Sequence, residues 1–188
     1  MVVAVLIVGA GGFGQSVADA IASGERLAVG GFLDDRGSDI GQVLGHAVLG
    51  RVSDLSALRH DFAVVVVAIG DNARRRELSQ IARAAGFELA MVVHPKAFVS
   101  VHAQLGAGTM VMAGAIVGTE AHIGEGVIVN AGAVVDHHAC VGDFAHLGVG
   151  ACMGGGAKLG TLAWLQEGAV LRAGQEAAPG SVVSRSAP

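Results

Sequence analysis

The chain contains no tyrosine, one tryptophan and six phenylalanines in 188 residues. A thick core built around rings is therefore excluded. With 52% hydrophobic residues and 30 glycines, the apolar content is carried mainly by small and aliphatic side chains, a composition that suits a solenoid with a narrow interior. Excess basic charge is also missing. The net charge of −4 gives a nucleic-acid partner no electrostatic support. Long apolar runs are absent, and stretches such as Phe62 to Ile69 are far too short to span a bilayer, so no membrane partner is expected. The start lacks a basic n-region and a cleavage-like site, which leads to the expectation of a cytoplasmic rather than a secreted protein.

A repeat fills the second half. From Val93 to Val182 the sequence divides into hexads whose register never slips. Their first positions run Val93, Val99, Leu105, Val111, Val117, Ile123, Val129, Val135, Val141, Leu147, Met153, Leu159, Leu165, Leu171 and Ala177, all apolar and all but the last bulky. Their fifth positions are Ala, Thr or Ser except at Val127 and Gln175. One large and one small inward position per six residues is the pattern of a parallel β-helix. The large residue fills a face, the small one fits a corner, and each coil buries its apolar positions only against its neighbours. Cys140 and Cys152 stand two hexads apart, which places them on different faces of a three-hexad coil and makes free thiols the expectation.

The first ninety residues read differently. Val2 to Val8 is a continuous apolar strand, of the kind covered on both faces. Gly9-Ala10-Gly11-Gly12-Phe13-Gly14 follows it, then a helical stretch from about Gln15 to Ser23. A second strand, Ala28 to Leu33, ends in Asp34-Asp35. A short extended segment (Gly45 to Gly50), a short helix (Asp54 to Arg59), and a third strand (Phe62 to Ile69) closed by Gly70-Asp71-Asn72 come next. A helix from about Ala73 to Ala85, stopped by Gly86, completes the module. This alternation predicts a small parallel α/β sheet, Rossmann-like, over residues 1–90, with the β-helix over 91–188.

Gly9-x-Gly11-x-x-Gly14 sits after a strand and opens a helix, where backbone N–H groups can approach a phosphate. Asp34 and Asp35 lie about 20 residues on, where an acid would meet a ribose. A tight glycine turn beside a surface acidic pair is the alternative. The module is too short for two mononucleotide halves, which favours a mononucleotide-type ligand such as a nucleotide-sugar.

The two modules in this order resemble the bacterial nucleotide-sugar acetyltransferase family, which includes UDP-4-amino-sugar N-acetyltransferases and sialic acid O-acetyltransferase relatives. The resemblance covers nearly the whole chain. It rests on Val8-Gly9-Ala10-Gly11-Gly12-Phe13-Gly14, Gly31-Phe32-Leu33-Asp34-Asp35, Ile69-Gly70-Asp71-Asn72 with Arg74, Val93-His94-Pro95 and Asn130-Ala131-Gly132-Ala133-Val134-Val135-Asp136-His137. It implies a left-handed β-helix in which three hexads make one triangular coil, so that fifteen hexads give about five coils. It further implies a nucleotide-amino-sugar held by Gly9, Gly11, Gly12, Phe13, Gly14, Asp34, Asp35, Gly70 and Asn72, acetyl-CoA as co-substrate, and a homotrimer that builds its active site between neighbouring helices. The chain departs from the family in three ways. Phe13 stands where a His is frequent, His138 stands where an acid commonly follows the catalytic His, and the β-helix is about one coil shorter than in many relatives.

By the same resemblance His137 is the general base, acting on the amine of a 4-amino-4,6-dideoxy sugar. Its own sequence position supports this: it is the third residue of its hexad, at a turn, and imidazole suits proton transfer near neutral pH. Asp136 could tune it electrostatically. His138 is a further catalytic candidate, expected to orient His137 or to touch substrate; because adjacent side chains diverge, a plain surface residue is the equal alternative. His146, Asn130, Gly148 and Gly155 are candidate contacts for acetyl-CoA. His102 and His122 read as surface corners. No set of histidines has spacing suited to a metal, so none is expected. Sugar O-acetylation of the sialic-acid type and non-catalytic nucleotide-sugar binding remain the alternatives.

Overall fold

The structure, a computed structural model, describes residues 2–37 and 41–185. The chain divides into two compact units, Met1–Val92 and Val93–Pro188. Among the described residues, no helix is long and apolar enough to cross a membrane.

The first unit is a six-stranded sheet. It comprises β1 (Val3–Val8), β2 (Leu27–Leu33), β3 (Gln42–Val43), β4 (His46–Gly50), β5 (Val64–Val67) and β6 (Glu88–Leu89), in the order β3-β4-β2-β1-β5-β6. All pairs are parallel except β3 with β4. Helix α1 (Gly12–Ala22) follows β1, a 3-10 helix spans Val52–His60, and α2 (Asn72–Ala84) follows β5. The central strands are buried because their runs are apolar without alternation: Val5 to Val8 and Val65 to Val66 are fully inaccessible. Helix α1 begins at Gly12, three residues before the sequence reading. Its N-cap is Gly11, which has no side chain to mark the start. Strand order reverses around β1, with β2 on one side and β5 on the other. The carboxyl ends of these three strands meet at the switch point where open α/β sheets bind ligands.

The second unit is a left-handed parallel β-helix of two-residue strands. Its first face stacks Val92–Val93, Met110–Val111, Ile128–Val129, His146–Leu147, Trp164–Leu165 and Val182–Val183. The second stacks Phe98–Val99, Ile116–Val117, Val134–Val135, Cys152–Met153 and Val170–Leu171. The third stacks Gln104–Leu105, His122–Ile123, Cys140–Val141, Lys158–Leu159 and Glu176–Ala177. Met110 pairs with Ile128 and Ile128 with His146, so each coil takes eighteen residues. Cys140 and Cys152 fall on different faces.

The interior is one continuous apolar column from Val111 to Leu171, with the corner alanines between Ala115 and Ala169 fully inaccessible. Thr109 fits its corner by donating its hydroxyl to the Gly124 carbonyl at 2.8 Å. Gln175 is tolerated because the last coil is open there; its side chain turns out and accepts from the Arg172 N–H at 2.9 Å. Among the described residues each end coil stacks on one other coil, and burial falls there: Val93, expected inward, is 39% exposed.

The corners leave no room. Replacing Ala157, fully buried, by Leu should lower stability by about 1–3 kcal/mol through overpacking, while Leu at exposed Ala173 should change it by less than about 0.5 kcal/mol. Urea denaturation of the two variants reads the difference.

Candidate active site

His137 occupies the corner between the second and third faces, following Val134–Val135 and preceding Cys140–Val141. Its side chain is 60% exposed. The coil above and the coil below hold the corner by backbone bonds. The His138 N–H donates to the Thr119 carbonyl and the Gly156 N–H to the His137 carbonyl, each at 2.9 Å. The fourth hexad position takes a left-handed backbone at this corner on three successive coils, Glu120 (φ 57°), His138 (φ 58°) and Gly156 (φ 66°). That conformation swings the His138 side chain back toward its neighbour. His137 Nδ1 and His138 Nδ1 are 3.0 Å apart, with the rings edge-to-face at 5.2 Å. The expectation that the two adjacent side chains diverge is therefore corrected. His138 Nε2 in turn lies 3.0 Å from Glu120 Oε2, a carboxylate from the coil below.

Asp136 accepts from the His137 N–H at 2.7 Å and places its other oxygen 3.9 Å from His137 Nε2. Gly155, one coil further on, lies directly against the imidazole: a Cβ there would meet His137 Cε1 at 2.5 Å and Nε2 at 2.7 Å. The space that makes Gly155 necessary is thus filled by the His137 imidazole. At Gly148 the missing side chain would strike the backbone of Gln166 and Glu167 in the next coil, so coil stacking alone accounts for that glycine. Asn130 Oδ1 accepts from the Ala131 N–H at 2.8 Å, a turn-bracing bond. His146 stands on the first face, stacked on Trp164 at 6.0 Å, away from the His137 corner. His102 lies in a turn, whereas His122 corrects its expected corner placement. It is the last residue of its hexad, which points outward from the flat third face, and its Nδ1 is 2.9 Å from the Glu120 carbonyl. An open groove of about 720 Å³ runs along that third face past His122, Cys140 and Lys158; His137 is not part of its lining.

In the first unit the sequence-predicted binding residues collect at the carboxyl ends of β1, β2 and β5. Gly9 has φ 105°, and a side chain at Gly14 would collide with the Gly9 carbonyl, so both glycines are needed for α1 to start against the sheet. Gly11 and Gly12 face open space, Phe13 is half-buried in the first turn, and α1 carries neither a side-chain cap nor an acid at its N-terminus. Asp34 is already engaged. It accepts from the Ala10 N–H at 2.9 Å and from the Arg36 side chain at 2.8 Å, and the Arg36 guanidinium holds its carboxyl at about 2. It therefore braces the glycine turn, while Asp35, 3.9 Å from Arg74, stays exposed.

Gly70 and Asn72 also have a structural occupation. Arg75, fully buried, donates to the carbonyls of Ile69 and Gly70 at 2.9 and 3.1 Å and to Asn72 Oδ1 at 2.8 Å. Burial pushes its guanidinium down to about 9, which still leaves it charged at neutral pH. Sequence reasoning missed Arg75 and Glu120. Glu120 had a signal: it lies one eighteen-residue coil before His138.

Two outcomes follow from this geometry. Gly155→Ala should displace the imidazole and cut the rate of any reaction at His137 by about tenfold or more without lowering the melting temperature, which paired activity and thermal-melt measurements would read. Asp34 has a folded value near 2 against an ordinary 3.8, so its stabilisation is complete above about pH 4 and lost as pH falls toward 2. Asp34→Asn should cost about 1 kcal/mol at pH 7, and melts taken from pH 7 down to pH 2 should show that gap closing between about pH 4 and 2.

Comparison with known proteins places both units. Residues 4–82 match the PglD N-terminal domain family, and residues 102–137 match the bacterial transferase hexapeptide family (six repeats). No curated protein sequence matches the chain. Solved structures do. PerB from Caulobacter crescentus, a perosamine N-acetyltransferase crystallised with CoA and GDP-perosamine, is 36% identical, with 98% of this chain and 90% of that chain covered and a TM-score of 0.72. The acetyltransferase domain of PglB from Neisseria gonorrhoeae, crystallised with acetyl coenzyme A, is 33% identical over 97% of this chain and 96% of that chain, with a TM-score of 0.76. WeeI from Acinetobacter baumannii, 20% identical with 94% of each chain covered and a TM-score of 0.71, shares the fold. With a glycine-turn α/β unit, a hexapeptide β-helix and identity above 30% along nearly its full length, the chain belongs to the bacterial nucleotide-sugar acetyltransferases.

Proposed function

We propose that this chain transfers the acetyl group of acetyl-CoA to the amine of a nucleotide-linked amino-sugar, with His137 as the general base. The observation that carries the reading is the His137 corner, where an exposed imidazole has its Nδ1 engaged by His138 at 3.0 Å and Asp136 beside its Nε2. The amine nitrogen attacks the thioester carbonyl carbon, a C–N bond forms, and the C–S bond breaks. His137 Nε2 accepts the amine proton, which CoA carries away as the thiol. No acyl-enzyme is needed. Asp136, 3.9 Å from Nε2, favours the imidazolium that forms. A base positioned in this way contributes about 10²–10⁴-fold, and alignment of the amine on the thioester supplies much of the rest.

The relatives support the choice of substrates. PerB is crystallised with CoA and GDP-perosamine, and two of its structures carry a histidine replaced by asparagine or alanine. On this chain the nucleotide would lie at the carboxyl ends of β1, β2 and β5. The open N–H groups of α1 near Gly11, Gly12 and Phe13 face its phosphates, and exposed Asp35 is better placed than Asp34 to meet its ribose. A 4-amino-4,6-dideoxy sugar is the class we assign. His146 and His137 stand at different sides of one prism, so a contact of His146 with the acetyl group requires a neighbouring copy. The exposed Phe98, Ile116 and Val170 on the second face support a closed homotrimer.

The experiment is acetyl-CoA consumption with UDP-, GDP- and dTDP-linked 4-amino-sugars, for the native chain and His137→Ala. Turnover with one of them that falls at least about a hundredfold in the variant is expected. Acetylation of sialic acid alone would move the reaction to oxygen, and binding without turnover would make the protein a nucleotide-sugar carrier.

A further inference from the structure

The three side chains at the corner form a chain of hydrogen bonds whose direction can be worked out. Glu120 Oε2 is an ionised carboxylate oxygen and can only accept. His138 Nε2, 3.0 Å away, must therefore carry a proton and donate it. With Nε2 protonated, a neutral His138 has a bare Nδ1. His137 Nδ1 is 3.0 Å from that atom, so the proton between the two rings belongs to His137. A neutral His137 protonated at Nδ1 has a bare Nε2, on the side of the ring that Asp136 and Gly155 flank.

We propose that Glu120, acting through His138, fixes His137 in the tautomer whose Nε2 lone pair is free to take a proton. Glu120 and His138 are positioning residues in this arrangement, acting through the His137 ring. The device depends on two left-handed non-glycine residues stacked one coil apart, Glu120 at φ 57° and His138 at φ 58°. A non-glycine residue in that conformation carries a backbone cost. At this corner it is the geometry that turns both side chains into line. The same arrangement spreads the positive charge left on His137 after proton transfer toward the Glu120 carboxylate. The consequence for rate rests on the N-acetylation reading, whereas the tautomer does not.

Two measurements test the inference separately. Nitrogen-15 NMR of histidine-labelled protein without substrate, with His137 assigned by its loss in His137→Ala, should show the Nδ1–H tautomer of His137 in the native chain and a shift toward Nε2–H in Glu120→Ala. Glu120→Gln keeps an accepting oxygen and should retain the native tautomer. In steady-state kinetics Glu120→Ala should lower kcat about tenfold, with KM for both substrates within about twofold, as a positioning role requires; Glu120→Asp should recover part of the loss. A native His137 found as the Nε2–H tautomer, or a Glu120→Ala protein with native tautomer and native kcat, would overturn the inference. Should no amine be acetylated at all, the proposed reaction fails while the NMR result still decides the inference.

Discussion

Everything in the second unit depends on a steric limit: the interior of a triangular coil is wide enough for one bulky side chain per face and one small one per corner. The limit repeats every six residues, and three hexads return the chain to the same face one coil on. Once the register is set, any two residues eighteen apart become neighbours. The coil therefore acts as a ruler as well as a core. Residues distant in sequence are aligned by backbone bonds between coils, such as His138 N–H to Thr119 O and Gly156 N–H to His137 O.

The polar cluster around His137 occupies a corner because that is where the limit relaxes. A corner turn points its third and fourth hexad residues outward, free of the column. His137 uses the first of these positions, His138 and Glu120 the second on successive coils. Gly155 is small because the imidazole lies over it. An imidazole proposed as the base, its hydrogen-bonding partner, a carboxylate and a gap for the ring thus come from three stacked coils without a dedicated loop. The first unit does the equivalent with a sheet: a change in strand order brings the glycine turn, the aspartate pair and the segment after β5 to one edge. Two of the groups there are already committed, Asp34 to Ala10 and Arg36, and the Gly70–Asn72 segment to Arg75. These contacts preform the edge, leaving the helix N-terminus and Asp35 exposed to solvent.

The hexad pattern was legible because sterics write it directly into residue size, one position at a time. The α/β unit was legible in outline for a similar reason: runs such as Val64 to Val67 have no alternation because both sheet faces are covered. What escaped the sequence depended on side-chain direction and on partners from elsewhere in the chain. His138 was expected to point away from His137, a rule that holds for ordinary backbone and fails at φ 58°. The carboxylate that meets His138 comes from Glu120, one coil below, a place that adjacent-residue reasoning does not search. The engagement of Gly70 and Asn72 by Arg75 was not legible, because nothing in the sequence marks Arg75 as buried. The start of α1 was misplaced because a glycine N-cap leaves no side-chain signature.

In the proposed reaction, coil stacking presents His137 Nε2 as a base to the amine of a nucleotide-linked sugar. This is tested most directly by a crystal structure of the protein with CoA and a nucleotide-linked 4-amino-sugar, from which the distance between His137 Nε2 and the sugar nitrogen is measured. The expected distance is within hydrogen-bonding reach, about 2.6–3.2 Å, with the His137–His138–Glu120 contacts intact. An ordered sugar whose nitrogen lies beyond the reach of His137, even through one bridging water, would contradict it.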